Sequence, residues 1–168
     1  FFFIYICNME KKYKIYCDME GVLTDFNGEY EKLTGIKIMK NQTHRGDDAF
    51  FEPLNRAGKN FWTNMSWTKD GKQLWNCIKE YNPELLSAPT RDDSSRVGKH
   101  EWVQRELPNT RLILRSAKAK REFANENSVL IDDKLSNIEE WKKDGGIGIY
   151  HTSTENTIKE LKKLGLCQ

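Results

Sequence analysis

The chain has 168 residues, of which 38% are hydrophobic and 31% are charged, a composition typical of a globular protein and not of a disordered one. This length corresponds to one domain with room for a small insertion. Its 27 basic and 25 acidic residues leave a net charge of +2, so there is no strong signal for polymeric nucleic acid, whereas a small anionic substrate would suit the balance.

The cysteines Cys7, Cys17, Cys77 and Cys167 are scattered and match no zinc-binding spacing. We expect free thiols in a reducing compartment, and therefore a cytoplasmic protein. Residues 1–8 (FFFIYICN) are too short to span a bilayer and lack the features of a secretory signal. We expect them to be a non-native or disordered extension, and expect no association with a membrane.

The predicted elements begin with a strand-like apolar run that ends at Asp18, within IYCDMEGVLTDF (15–26). A helix is predicted over Gly28–Gly35, followed by an aromatic-rich segment, 36–69, that we expect to be irregular. Helical periodicity returns at Gly71–Tyr81.

From residue 83 onward, strands and helices alternate. We predict strands in PELLSAPT (83–90), TRLILR (110–115), SVLIDD (128–133) and IGIY (147–150), and helices in 92–107, 117–125, 135–146 and 152–166. The 92–107 helix is expected to have Ser94 or Ser95 as its N-cap, or Asp92 and Asp93 as cap residues before it. Its apolar positions are expected to be Val97, Trp102, Val103 and Leu107. This alternation predicts an α/β fold, a three-layer Rossmann-like parallel sheet covered by helices on both faces.

Polar side chains follow four of the predicted strands. They are Asp18 with Glu20, Ser87, Arg115 with Ser116, and Asp132 with Asp133. One acidic strand end is most often a solvated turn. However, ligands of parallel α/β sheets bind outside the carboxyl ends of the strands, and two acidic pairs, a hydroxyl and a basic cluster at one edge favour a functional site.

These residues belong to a recognisable set of motifs. DMEGVLTDF (18–26) resembles the first motif of the haloacid dehalogenase (HAD) superfamily of phosphohydrolases, and more narrowly that of 5′(3′)-deoxyribonucleotidases and their phage and bacterial relatives. ELLSAPT (84–90) resembles the second motif, a lysine in SAKAK (116–120) the third, and VLIDDKLSNIEEW (129–141) closely resembles the fourth. The first and fourth motifs are specific, whereas the second and third are weak alone.

The resemblance implies a particular arrangement of the chain. Residues 9–26 and 82–168 would form the α/β core, and residues 27–81 would form a small helical cap inserted after the first strand. NFWTNMSWTKDGKQLW (60–75) looks like the return from cap to core in the nucleotidase branch.

The resemblance also implies hydrolysis of a phosphate monoester with Mg²⁺ as cofactor. Asp18 would be the nucleophile that becomes an aspartyl phosphate. The Asp18 carboxylate, the Glu20 backbone carbonyl and Asp133 would hold the metal, and Asp132 would act through water or orient the site. A carboxylate can attack an anionic phosphate only where a cation and fixed donors neutralise the charge, which explains the need for such a cluster.

Further residues would handle the phosphate. Ser87 and the Ala88 backbone N–H would donate to phosphoryl oxygens, and Arg91 is near enough in sequence to meet the phosphate. A lysine would balance the charge of nucleophile and phosphate. Lys118 follows its strand at the expected distance, whereas Lys120 fits the spacing to the fourth motif better and is slightly preferred.

Glu20 departs from the family pattern, in which an Asp protonates the leaving oxygen and then deprotonates the attacking water. The ordinary pKa of Glu, about 4.3, is close to the value of about 3.9 for Asp, so proton transfer survives in principle. The extra methylene displaces the carboxyl by roughly 1 Å, and such a misplacement can cost about 100-fold in rate.

The aromatic residues of the predicted cap have two interpretations. Either they hold the cap together, or one or two of them stack on a nucleobase, which is worth about 1–3 kcal/mol per base; they are Phe50, Phe51, Phe61, Trp62 and Trp67. Phe26 matches the position that faces the substrate in deoxyribonucleotidases and is the first candidate, with Phe61 and Trp62 next.

The sequence therefore predicts an Mg²⁺-dependent phosphatase that acts on (deoxy)nucleoside monophosphates. Two alternatives stay open. One is the same chemistry on another phosphate, such as a 3′-phosphorylated nucleic-acid end or a sugar phosphate. The other is a phosphate- or nucleotide-binding protein with little turnover, because Glu20 replaces the usual acid.

Overall fold

The computed structural model describes residues 12–39, 42, 44 and 46–168, so the prediction for residues 1–8 lies outside the described residues. The described strands are β1 (Lys14–Cys17), β2 (Glu84–Ser87), β3 (Leu112–Leu114), β4 (Ser128–Asp132) and β5 (Ile147–Tyr150). The described α-helices are α1 (Phe26–Thr34), α2 (Asp48–Ala57), α3 (Lys59–Thr63), α4 (Gly71–Ile78), α5 (Asp93–Glu106), α6 (Leu135–Lys143) and α7 (Thr154–Lys163), and 3-10 helices cover Lys79–Tyr81 and Lys118–Phe123. Within these ranges no helix has the length and apolar character needed to cross a membrane.

The five strands form one sheet in the order β3-β2-β1-β4-β5. Every neighbouring pair is parallel, so all carboxyl ends lie at the same edge. β1 occupies the centre, between β2 and β4. The residues that follow these three strands therefore meet at one place, as the sequence predicted.

Both faces of the sheet are covered by helices. Successive side chains of a strand point to opposite faces, and Ile15 packs in a buried cluster with Leu74 of α4 and Trp102 of α5. The next residue, Tyr16, packs on the other face with Trp141 of α6. The prediction of a three-layer α/β fold with a parallel sheet is confirmed.

A small helical region formed by α1, α2 and α3 follows β1. The expectation that 36–69 is irregular was wrong, because α2 and α3 lie within it. Asp47 caps α2 by accepting the Phe50 N–H at 3.1 Å, but Pro53 lies inside this helix and Gly58 ends it. Proline and glycine are the usual signs of a helix break, which explains the error. The division of the chain into a core and a cap over residues 27–81 stays a prediction. Within that range, α4 packs against α7, a helix of the predicted core.

The predicted face of α5 also needs correction. Its N-cap is Asp92, one of the two aspartates predicted as cap residues, and the Asp92 carboxylate accepts the Ser94 N–H at 2.9 Å. Ser94 and Ser95, the other predicted N-caps, lie inside the helix. Val97, expected to be apolar and buried, is exposed, whereas Lys99 is buried. The polar residue therefore faces inward and the apolar one faces solvent.

The cysteine prediction was wrong for one pair. Cys77 of α4 and Cys167 form a disulfide, with Cα atoms 5.2 Å apart and a separation of 90 residues in sequence. Cys17 is a free, buried thiol, as predicted, and Cys7 lies outside the described residues. Sequence spacing could not reveal the pair, because it depends on how α4 packs beside the C-terminal end of the chain.

Candidate active site

The loop after β1 brings Asp18 and Glu20 to the edge of the sheet. The Met19 carbonyl accepts hydrogen bonds from the N–H groups of three following residues in the loop. Gly21 has a φ of +80°, and a Cβ at this position would lie 2.0 Å from Oδ2 of Asp133. A glycine is needed on both counts, since other residues avoid this backbone conformation and would displace Asp133.

Asp18, Asp132 and Asp133 form an acidic cluster in which each contributes a carboxylate oxygen within 4.8 Å of the others. Asp132 is fully buried. Its Oδ1 accepts the Lys134 N–H at 2.8 Å and its Oδ2 accepts the Asn137 amide at 2.9 Å. Asp132 is therefore held by protein donors, whereas Asp18 and Asp133 are better placed to bind a cation.

Lys120 bridges two members of the acidic cluster. Its Nζ lies 3.0 Å from Oδ1 of Asp18 and 2.8 Å from Oδ2 of Asp132, and the residue is only 2% exposed. Burial lowers the pKa of Lys120, but the charges of Asp18 and Asp132 outweigh it and raise the pKa above its ordinary value. Lys118 is exposed, so of the two candidate lysines the structure brings Lys120 to the cluster.

The electrostatics of the cluster favour a bound cation. Burial raises the pKa of Asp18 well above its ordinary value, and the charge of Lys120 offsets this only in part. Loss of hydration, and then the charge of Asp132, raise the pKa of Asp133 to about 7. Carboxylate oxygens are the ligands that Mg²⁺ prefers, and a divalent cation would stabilise the charged carboxylates that burial, and then their mutual repulsion, disfavour. The residues present therefore fit Mg²⁺.

Glu20 belongs to a second polar group beside the acidic cluster. Its Oε1 lies 2.6 Å from Nζ of Lys99, and its Oε2 accepts the Ser87 hydroxyl at 2.9 Å. Lys99 also donates to Oγ of Ser87 at 2.7 Å and to the Ala88 carbonyl at 3.2 Å. Lys99 was not among the predicted site residues. The one available signal was its spacing, three residues before Trp102 and four before Val103 on the same helix face.

A cleft of about 230 Å³ opens over the two groups. Its described lining includes Asp18, Glu20, Phe26, Ala88, Lys120, Asp133 and Asn137. Ser87 is fully buried and Arg91 is exposed, and neither belongs to the described lining of the cleft. The ring centroids of Phe61 and Trp62 each lie 5.7 Å from that of Phe26, so these residues pack around Phe26. Neither belongs to the described lining of the cleft.

The fold of this chain is similar to that of several solved hydrolase structures. No family model matches the sequence, and no curated protein matches it significantly. A hydrolase from Streptococcus pneumoniae TIGR4 is 13% identical over 90% of this chain and 99% of that one, with a TM-score of 0.53. A HAD-superfamily hydrolase from Ehrlichia chaffeensis is 11% identical over 93% and 98%, with a TM-score of 0.52.

A HAD-family hydrolase from Deinococcus radiodurans R1, solved with bound phosphate and sodium, is 12% identical over 92% of this chain and 89% of that one, with a TM-score of 0.52. At such identities the likeness shows the fold alone. The chain therefore has the HAD-like α/β fold, with a small helical region after its first strand.

Proposed function

We propose that the protein is an Mg²⁺-dependent phosphomonoester hydrolase that forms an aspartyl phosphate on Asp18. The observation that carries this proposal is the position of Asp18 in the cleft, in contact with buried Lys120 and beside Asp133. The HAD-like fold supports it, as does the phosphate bound in the Deinococcus radiodurans neighbour.

In the proposed first step, the Asp18 carboxylate attacks phosphorus and the bond from phosphorus to the ester oxygen breaks. Lys120 offsets the negative charge that Asp18 and the phosphate bring together. Asp18, Asp133 and the Glu20 carbonyl would hold Mg²⁺, which supplies positive charge to the phosphoryl oxygens. Asp132 keeps Lys120 in place, since it accepts a hydrogen bond from the Lys120 ammonium at 2.8 Å.

Glu20 would serve both steps as the proton-transfer group. It would protonate the leaving oxygen when Asp18 attacks, and would then remove a proton from the water that hydrolyses the aspartyl phosphate. Phosphate is released and Asp18 is regenerated. The Ala88 N–H would donate to a phosphoryl oxygen, and Ser87 would do so by turning its hydroxyl from Glu20 towards the phosphate.

The size and lining of the cleft bear on the substrate. Its volume of about 230 Å³ is below the range of about 300–1,000 Å³ that is typical of sites for drug-sized ligands. It therefore suits a phosphoryl group with the atoms next to it. Phe26 contributes an aromatic ring to the lining, which could stack on a base. Of these features, the Phe26 ring is the one that supports a (deoxy)nucleoside monophosphate as the substrate, with its phosphoryl end in the cleft.

A second candidate is a phosphate-binding protein with little turnover. It is favoured by one observation, namely that both carboxylate oxygens of Glu20 already have hydrogen-bonding partners. A proton-transfer role requires one of these contacts to open during the reaction.

A substrate panel with Mg²⁺ separates the candidates. It would contain deoxynucleoside 5′- and 3′-monophosphates, a sugar phosphate and a 3′-phosphorylated oligonucleotide, with released phosphate as the readout. The proposal predicts turnover of the nucleoside monophosphates. Phosphate binding without release across the panel would support the second candidate, and preferred cleavage of the oligonucleotide or sugar phosphate would change the substrate class.

A further inference from the structure

Lys99 occupies a position that the proposed mechanism does not yet use. An ammonium group has three N–H donors and no acceptor. The Nζ of Lys99 has three oxygen atoms within hydrogen-bonding distance, from Glu20 at 2.6 Å, Ser87 at 2.7 Å and the Ala88 carbonyl at 3.2 Å. The three donors therefore match three acceptors, each on a residue that was predicted to act in proton transfer or phosphate binding.

The contact with Ser87 fixes the direction of a proton. Because Lys99 can only donate, Oγ of Ser87 accepts from it, and the Ser87 hydroxyl proton must point elsewhere. Here it points to Oε2 of Glu20, 2.9 Å away. In a complex with phosphate the same proton can turn to a phosphoryl oxygen, while the hydrogen bond from Lys99 is kept.

Lys99 itself is held in place and shielded from the cleft. It is 1% exposed, and its Nζ lies 5.1 Å from the centroid of the Trp62 ring, within the range of a cation–π contact. A Cβ on Gly98 would lie 2.4 Å from Cβ of Trp62, so α5 and α3 approach as closely as a glycine allows. Lys99 is therefore fixed between the sheet edge and the small helical region.

We propose that Lys99 is a positioning residue that holds the Glu20 carboxyl, the Ser87 hydroxyl and the Ala88 peptide for the reaction. This inference rests on the proposed function. Lys99 acts through these groups without touching the substrate. A Glu at position 20 depends on such a positioning residue more than an Asp would, because its side chain has one more rotatable bond and loses more conformational freedom when it is fixed.

Two substrates that differ by one nitro group test this role. The nitrophenolate that leaves para-nitrophenyl phosphate is stable without a proton, whereas the phenolate from phenyl phosphate is about as basic as a tyrosinate, with a pKa of about 10. Loss of proton donation therefore lowers kcat/KM for phenyl phosphate more. Weaker phosphate binding lowers both values alike and cancels in their ratio.

We expect Lys99→Met to raise the ratio of kcat/KM for para-nitrophenyl phosphate over phenyl phosphate by about tenfold relative to wild type, which is part of the usual effect of a lost acid. Glu20→Gln should shift the ratio in the same direction. Arg96→Met, which removes a positive charge from an exposed position of α5, should leave it unchanged. If Lys99→Met does not fold, Lys99→Gln keeps two donors at this position and should give a smaller shift in the same direction.

An active wild type whose ratio is unchanged by the Lys99 substitution would overturn the positioning role, because a merely structural role lowers both rates equally. A wild type that releases phosphate from neither substrate nor from the nucleotide panel would instead refute the proposed function, and this inference with it.

Discussion

Replacing Lys120 with methionine should destabilise the metal-free protein strongly. Lys120 is 2% exposed and its ammonium contacts Asp18 at 3.0 Å and Asp132 at 2.8 Å. Removing one partner of a buried ion pair leaves uncompensated charge and costs about 3–5 kcal/mol. For a chain of this size, such a loss corresponds to a fall in Tm of roughly 6–20 °C.

The matched control is Lys118→Met, two residues away and exposed, which should change the free energy of unfolding by less than about 0.5 kcal/mol. Both variants would be unfolded with urea in EDTA and again in Mg²⁺. Because a bound cation replaces part of the lost positive charge, Mg²⁺ should reduce the difference in unfolding free energy between Lys120→Met and wild type. A Lys120→Met variant as stable in EDTA as Lys118→Met would refute this reasoning.

The remaining predictions concern the metal, the proton-transfer group and pH. Asp133→Ala should sharply raise the Mg²⁺ concentration needed for activity and Asp132→Ala should raise it less; metal-independent turnover would contradict the metal site. Glu20→Gln should lower kcat by about 100-fold or more, while Glu20→Asp should have a smaller effect of either sign; equal phosphate release by Glu20→Gln and wild type would exclude Glu20 as the acid. Burial lowers the pKa of His151, and the charges of nearby Asp70 and Asp132 oppose this effect only partly. As the pH falls, the imidazole is therefore protonated first in the unfolded chain, near its ordinary pKa of about 6.5. The free energy of unfolding of wild type should therefore fall more than that of His151→Asn as the pH drops below about 6.5. If urea unfolding gave both proteins the same pH dependence, the lowered pKa of His151 would be contradicted.

Parts of the fold were predictable because they depend on local pattern. The apolar runs that end at Asp18, Ser87 and Asp132 mark buried parallel strands, and such strands bring their carboxyl ends to one edge. The alternation of strands and helices then fixes the layered α/β class. The acidic residues that follow β1 and β4 could be predicted to lie together for the same reason.

Other features depend on contacts between distant segments. Lys99 is 79 residues from Glu20 in sequence, and a lysine is almost never fully buried without a partner, so the pattern of α5 alone favoured Val97. The Cys77–Cys167 disulfide likewise depends on the packing of α4 near the chain end. In both cases the determining contact lies outside the range of helical or strand periodicity.

If Asp18 is the nucleophile, its phosphorylated form can be trapped during turnover. Wild type and Asp18→Asn would each be mixed with Mg²⁺ and a phosphate monoester that the wild type hydrolyses. The reactions would be quenched in acid within the first turnovers and analysed by mass spectrometry. The wild-type peptide that contains Asp18 should carry a phosphoryl adduct. Asp18→Asn keeps the size of the side chain but cannot attack, so this variant should show no adduct and no phosphate release. Release of phosphate by Asp18→Asn near the wild-type rate would contradict the assignment.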